Sequence, residues 1–430
     1  MSVHYEANWA SINSRPIPTW FEDAKFGIFI HWGLYSVPAF TLKNWFAEWY
    51  QPQIQEQQKE EVLAFHNRVY GEKFRYQDFV PFFRAELFDA AAWIRLFERA
   101  GARYMNLVSK HHDGFCMYPT QYAWNWNSFD VGPHRDFCAE LREACEGSQV
   151  RFGVYHSLME WYHPLFLQAP ERFALEHLHP MMKELIERYE PHTLFTDGEW
   201  DLTSDVWHAP EFLQWLYNES AVRDVIVPND RWGKETRKLM LGGNVTTEYG
   251  SIGLHEEGEI RKPFEECRGI GGSFGYNRAE TTEDYQSARA LVELLVDLVS
   301  KGGNLLLNVG PAADGTIPVI MEERLLQIGD WLRVNGEGIY GSRAGQKSTQ
   351  PGVWYTQKAG LRYAFLQKFP FGSVTLEDVP YDPSCKPTLL GWKGEGNPVA
   401  AFDCDGKLGL RFAPFPPEQL DSKWVYTIKL

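Results

Sequence analysis

Thr193-Leu194-Phe195-Thr196-Asp197-Gly198-Glu199-Trp200 is an apolar run that ends in an acid. The interior of a strand in a parallel sheet is covered on both faces, so a carboxylate is tolerated only at its open end, where water or a ligand meets it. Asp197 is therefore a candidate nucleophile at the mouth of a parallel sheet, although an Asp before Gly is also ordinary turn chemistry. Similar runs recur on either side, at 26–31, 104–110, 150–156, 192–197, 225–227, 244–249, 272–277 and 304–309. Helical patterns fill the gaps between them. Asp89 is placed to cap a helix carrying Trp93, Ile94, Phe97 and Ala100 on one face, with Gly101 as its stop. Ala288, Leu291, Val292, Leu295 and Val299 mark another helix between 283 and 301.

Strands alternating with helices predict a parallel sheet, and eight such units predict a distorted (β/α)8 barrel of the TIM type. The distortion falls between 225 and 249, where the pattern is irregular. From 339 onward, Gly, Pro and Asn punctuate short alternating runs such as Trp424-Val425-Tyr426-Thr427-Ile428, which predict a C-terminal antiparallel β-sandwich. The division is thus a catalytic barrel over 1–338 and a sandwich domain over 339–430, in keeping with 430 residues exceeding what one core usually holds.

The formal net charge of −15, with basic residues scattered, argues against nucleic acid and anionic membranes as partners. A neutral ligand fits better. Aromatic residues make up 15% of the chain, including 17 Trp, and such rings stack on the apolar faces of sugars. The N-terminus shows no basic segment followed by an apolar stretch, no run reaches membrane-spanning length, and the six cysteines form no Cys-x-x-Cys pair. A reduced, cytoplasmic protein is the expectation.

In such a barrel the active site gathers at the C-terminal ends of the strands. There the chain places His31, then His111 and His112, then Tyr155 and His156, then Asp197, with Glu48-Trp49 and Glu265-Glu266 on neighbouring loops. His111-His112-Asp113 invites a metal reading, but adjacent strand residues face opposite ways, and neutral imidazoles suit hydroxyl groups as well. No metal and no cofactor are expected. Gly302-Gly303 lacks the Lys-Ser/Thr of a phosphate loop. Two carboxylates with opposite duties are what glycoside hydrolysis requires. Asp197 fits the attacker, and Glu265 or Glu266, flanked by Phe264 and Cys267, fits the proton donor.

Four blocks carry a resemblance to the α-L-fucosidases of glycoside hydrolase family 29. They are Trp20-Phe21 with Lys25-Phe26-Gly27-Ile28-Phe29-Ile30-His31-Trp32-Gly33, Glu48-Trp49-Tyr50, Ser109-Lys110-His111-His112-Asp113-Gly114-Phe115, and Leu298 through Pro311. The resemblance implies a barrel followed by a β-sandwich, metal-free hydrolysis of terminal α-L-fucose from fucosylated glycosides, and retention through a covalent fucosyl-enzyme intermediate. By position, Asp197 corresponds to the nucleophile, while His31, His111, His112, Tyr155, Glu48 and Trp49 correspond to residues that grip the sugar. The alignment picks Glu265 as acid/base, then Glu266, then Glu248, although Phe264 and Phe274 stand where the family carries Trp. Phe274 and Trp200 are the aromatic wall expected for the fucose methyl. Retention further implies about 5–5.5 Å between the two carboxyl groups. A non-catalytic fucose-binding protein on the same fold is the alternative, and loops from a second copy could complete the pocket in a homo-oligomer.

Overall fold

The computed structural model describes residues 4–43, 45–250 and 262–430. Eight parallel strands form one curled sheet: β1 (Phe26–Ile30), β2 (Tyr104–Lys110), β3 (Arg151–Ser157), β4 (Thr193–Asp197), β5 (Val227–Pro228), β6 (Val245–Glu248), β7 (Phe264–Gly269) and β8 (Asn304–Val309). Their order, β5-β4-β3-β2-β1-β8-β7-β6, leaves the seam between β5 and β6, where an isolated parallel bridge joins Asn229 to Asn244. The seam lies inside the stretch expected to be irregular. Pro228, which has no N–H to give a ladder, ends β5 after two residues.

Side chains alternate across each strand and so build two cores. Ile28, Leu107, Val154, Leu194, Leu305 and Leu307 face the surrounding helices, while Phe29, Tyr104, Val108, Tyr155, Phe195, Cys267 and Leu306 fill the barrel. Gly27 makes room inside: a Cβ there would lie 2.5 Å from the Tyr104 ring. The helix Ala90–Ala100 starts as expected, with Asp89 accepting from the Ala92 N–H at 2.9 Å, and stops at Gly101, whose φ is 85°. The later helix is shorter than expected, Ala288–Ser300, and Ser287 caps it.

One strand was misplaced. The seventh is Phe264–Gly269, not 272–277, which is loop. Its two consecutive glutamates disguise it, because each has a private partner: Tyr104 donates to the inward Glu265, and Thr247 and Arg268 donate to the outward Glu266.

After the helix Val319–Asn335 come β9 (Arg343–Ala344), β10 (Val353–Lys358), β11 (Leu361–Leu366), β12 (Ser373–Pro380), β13 (Thr388–Leu389), β14 (Val399–Cys404), β15 (Lys407–Phe412) and β16 (Tyr426–Lys429). They form antiparallel sheets of five and three strands that enclose a separate apolar core, including Tyr355, Leu376, Leu410 and Ile428. The Trp331 indole donates to the Val425 carbonyl at 2.8 Å and ties this sandwich to the barrel. Among the described residues no helix is long and apolar enough to cross a membrane.

Candidate active site

The strands open onto a cavity of about 120 Å³. A cavity near 150 Å³ holds a benzene-sized ring, so this one is on the scale of a single small ring. It is lined by His31, Glu48, Trp49, His111, His112, Tyr155, Asp197, Trp200, Glu248 and Phe274, all nominated from the sequence. Each comes from a strand end or the loop that follows.

Asp197 closes β4, and Gly198, with φ 78°, turns the chain away immediately. Its carboxylate is held from two sides. Arg231 Nη1 lies 2.7 Å from Oδ1, the Tyr155 hydroxyl donates to Oδ2 at 3.0 Å, and His112 Nε2 lies 3.6 Å from Oδ2. Burial alone would raise the pKa of Asp197. The adjacent Arg231 guanidinium, with help from the Tyr155 hydroxyl, overrides it and keeps the carboxyl below its usual range. Asp197 is thus a carboxylate, and Arg231 is the reason.

Arg231 was not foreseen. It is fully buried and spans the barrel seam, giving its second terminal nitrogen to Glu248 Oε2 at 3.0 Å and its Nε–H to Thr246 at 3.1 Å. The available signal was positional: it sits four residues past the fifth strand run, just as the other site residues sit at strand ends.

The imidazoles are neutral. Burial lowers His31 to about 3 and His112 to about 4. Asn308 Nδ2 donates to the Phe274 carbonyl at 2.6 Å, so its Oδ1 accepts from His31 Nδ1 at 2.7 Å. Likewise the Ser157 hydroxyl donates to the Met159 carbonyl at 2.7 Å and accepts from His112 Nδ1 at 2.6 Å. In both rings Nε2 is therefore left as a bare acceptor, which suits the hydroxyl donors of a sugar. His111 stacks on Tyr155 with ring centroids 5.7 Å apart. Asn308 and Ser157 also escaped the sequence reading, since nothing local distinguishes them.

Glu48 is buried, and its Oε2 accepts the Gly275 N–H at 2.7 Å. Burial pushes its pKa up to about 7, so it carries a proton over much of the neutral range. Trp49 stacks on Trp200 at the rim, centroids 5.8 Å apart, and Phe274 lies deep, 4.8 Å from His31 and beside Phe46. The expected aromatic wall is therefore divided between floor and rim.

Glu265 requires correction. It is the second residue of β7 and pairs with Asn304, the first residue of β8. Tyr104, the first residue of β2, donates to it. These are strand beginnings, whereas Asp197 is a strand end, and each residue of a strand advances about 3.3 Å. Glu265 thus sits at the closed floor of the barrel and does not line the cavity. Glu266 points to the helix side of the sheet and is also absent from the cavity. Glu248, the third choice, does line it.

An ionised carboxylate in the lining of a ring-sized pocket, with acceptor imidazoles beside it and aromatic faces around it, is the chemistry of a glycoside hydrolase. The family model for alpha-L-fucosidase matches residues 1–337. The tissue alpha-L-fucosidase of Rattus norvegicus is 41% identical over 405 residues, covering 91% of this chain and 85% of the relative. The crystal structure of Thermotoga maritima alpha-fucosidase in complex with fucose superposes with a TM-score of 0.82 at 32% identity, over 99% of this chain and 100% of that one. The same enzyme in complex with a mechanism-based inhibitor gives 0.82 at 33% identity, over 99% of both chains. This chain belongs to the alpha-L-fucosidase family.

Proposed function

We propose that the protein removes terminal α-L-fucose from fucosylated oligosaccharides or glycosides with retention of configuration, through a covalent ester on Asp197. The observation that carries this reading is the Arg231–Asp197–Tyr155 arrangement, a carboxylate kept ionised in the lining of the pocket. Asp197 attacks the anomeric carbon as the bond to the leaving oxygen breaks, and that oxygen takes a proton. Water then attacks the ester from the opposite face, giving up its proton to the group that donated the first, and fucose leaves as the α anomer. His31 and His112 accept hydrogen bonds from ring hydroxyls, Trp49, His111 and Tyr155 frame the ring, and Phe274 faces the methyl.

Two carboxyls of the described pocket compete for the proton transfer, Glu48 and Glu248. Glu48 has a proton to give near pH 7, held on the oxygen that Gly275 does not engage. Glu248 is spent on Arg231. The connection from β6 to β7 carries three more glutamates, Glu256, Glu257 and Glu259, outside the described residues. A cytoplasmic site of action belongs to the same proposal, supported by six free thiols. Cell fractionation checks it.

Trapping with a 2-fluorofucosyl reagent followed by peptide mapping tests the central claim. Label on Asp197 and initial release of the α anomer, read by NMR, are the expected results. Label elsewhere, or the β anomer first, would refute it. Binding of fucose without turnover of an aryl α-L-fucoside would instead support the non-catalytic alternative.

A further inference from the structure

Lys110, the last residue of β2, has a fully buried ammonium group, placed 2.8 Å from Glu160 Oε1. Glu160 is 7% exposed, and the same oxygen lies 3.1 Å from His177 Nε2. His177 sits in a widened π-helical turn, Ala174–Leu178, inside an otherwise α-helical run; such turns concentrate at functional sites. None of the three side chains lines the sugar pocket.

The chain neighbours of Lys110 and Glu160 line it or pack against the residues that do. Lys110 immediately precedes His111 and His112, and Glu160 immediately precedes Trp161. The Trp161 N–H donates to the His112 carbonyl at 2.8 Å, and the Trp161 ring lies against His112, His111 and Trp49, with centroids 5.2, 5.9 and 5.0 Å away. The ion pair and this backbone bond are thus two rungs between the end of β2 and the loop after β3. The carboxylate is also close enough that a side chain at Gly114, in the turn after His112, would meet Glu160 Oε2 at 2.9 Å.

Stability does not account for such a pair. Desolvating two charges costs about as much as their attraction returns, and apolar replacements of similar volume are often neutral or stabilising. What the pair supplies is direction, because an ammonium and a carboxylate buried together admit few arrangements. Glu160, His163 and His177 are also spaced as metal ligands, within 4.8 Å of one another, but the Lys110 ammonium already meets the charge on the shared carboxylate oxygen.

We propose that the Lys110–Glu160 pair, anchored by His177, is a positioning device for the His111–His112 turn and for Trp161, and that it sets affinity for the sugar ring rather than the rate of bond cleavage. The inference rests on the fucosidase reading of the pocket. The double variant Lys110→Met/Glu160→Gln removes both charges together, so neither is left buried alone. It is expected to bind L-fucose about tenfold more weakly by calorimetry, a loss of about 1.4 kcal/mol, with KM for an aryl fucoside raised to match and kcat changed less than about threefold. His177→Gln leaves the ion pair in place and should show the same pattern at about threefold, which keeps the question open to measurement if the double variant does not fold. Unchanged fucose affinity in a folded variant, or a loss confined to kcat, overturns the proposal. Failure of the wild-type protein to bind L-fucose would instead overturn the reading of the pocket.

Discussion

Two inward-facing carboxyl groups occupy opposite ends of the same barrel. Asp197, at the end of β4, is ionised; Glu265, at the beginning of β7, is pushed by burial up to about 7. Asp197 has a guanidinium 2.7 Å away and a cavity in front of it, whereas Glu265 has a tyrosine hydroxyl and the packed rings of the barrel interior. Both are acids beside apolar residues and were paired from the sequence as attacker and proton donor, Asp197 at a strand end and Glu265 on a loop. The partner across the barrel and the end of the strand decide which can do chemistry.

The sharpest way to break this contrast is at Asp197. Asp197→Gly should lower kcat/KM for an aryl fucoside by about 10⁴-fold or more, the scale seen when a nucleophile is removed. Azide should then restore release of the aryl group and yield β-fucosyl azide, detectable by NMR. Rescue that gives the α adduct would assign the attack to another residue.

Glu48→Gln comes next. Loss of a general acid costs about 10²–10⁴-fold for poor leaving groups and much less for activated ones. A slope in kcat against leaving-group pKa would confirm Glu48 as donor. Equal losses across the series would leave Glu48 a hydroxyl ligand and move the search to Glu248, Glu256, Glu257 and Glu259.

Arg231→Met tests what keeps Asp197 charged. With the guanidinium gone, burial dominates and the Asp197 pKa rises. Because attack needs the carboxylate, activity is lost as pH falls through that pKa, and the acid limb of kcat/KM should move to higher pH. Stripping one partner from a buried ion pair also costs about 3–5 kcal/mol, so thermal stability should fall.

The smallest effect belongs to the other end of the barrel. Glu265→Gln should leave kcat/KM within about threefold of wild type. Its signature lies in stability. A carboxyl whose folded pKa is raised to about 7 holds its proton in the folded state after the unfolded chain has lost it, so the wild type loses stability between roughly pH 4.5 and pH 7. Glutamine does not titrate. The stability of the variant relative to wild type should therefore improve from pH 4 to pH 8, by about 3 kcal/mol at most for a shift of this size. A flat difference would place Glu265 in contact with water.

Most of the fold was legible from periodicity. Seven of the eight barrel strands, the caps at Asp89 and Gly101 and the all-β character of the C-terminal region follow from apolar spacing and turn residues, which act locally. The seventh strand was missed because Glu265 and Glu266 read as solvated loop charges, and only their partners on distant elements make them strand residues. The site divided the same way. His31, His111, His112, Tyr155 and Asp197 could be found because each ends an apolar run, and Glu48, Trp49, Trp200 and Phe274 came from resemblance or their place near such ends. Arg231, Asn308 and Ser157 could not, since their importance is a matter of what they touch.

The amino-acid sequence by itself determined the barrel, the sandwich after it, the ring of strand-end side chains and the family, because hydrophobic period and motif spacing are properties of the chain alone. Only the tertiary structure decided the ionisation of Asp197, the tautomers of His31 and His112 and the exclusion of Glu265 from the pocket. Those depend on distance, burial and hydrogen-bond direction between residues remote in sequence, and such quantities take values only after the strands have closed around a common interior.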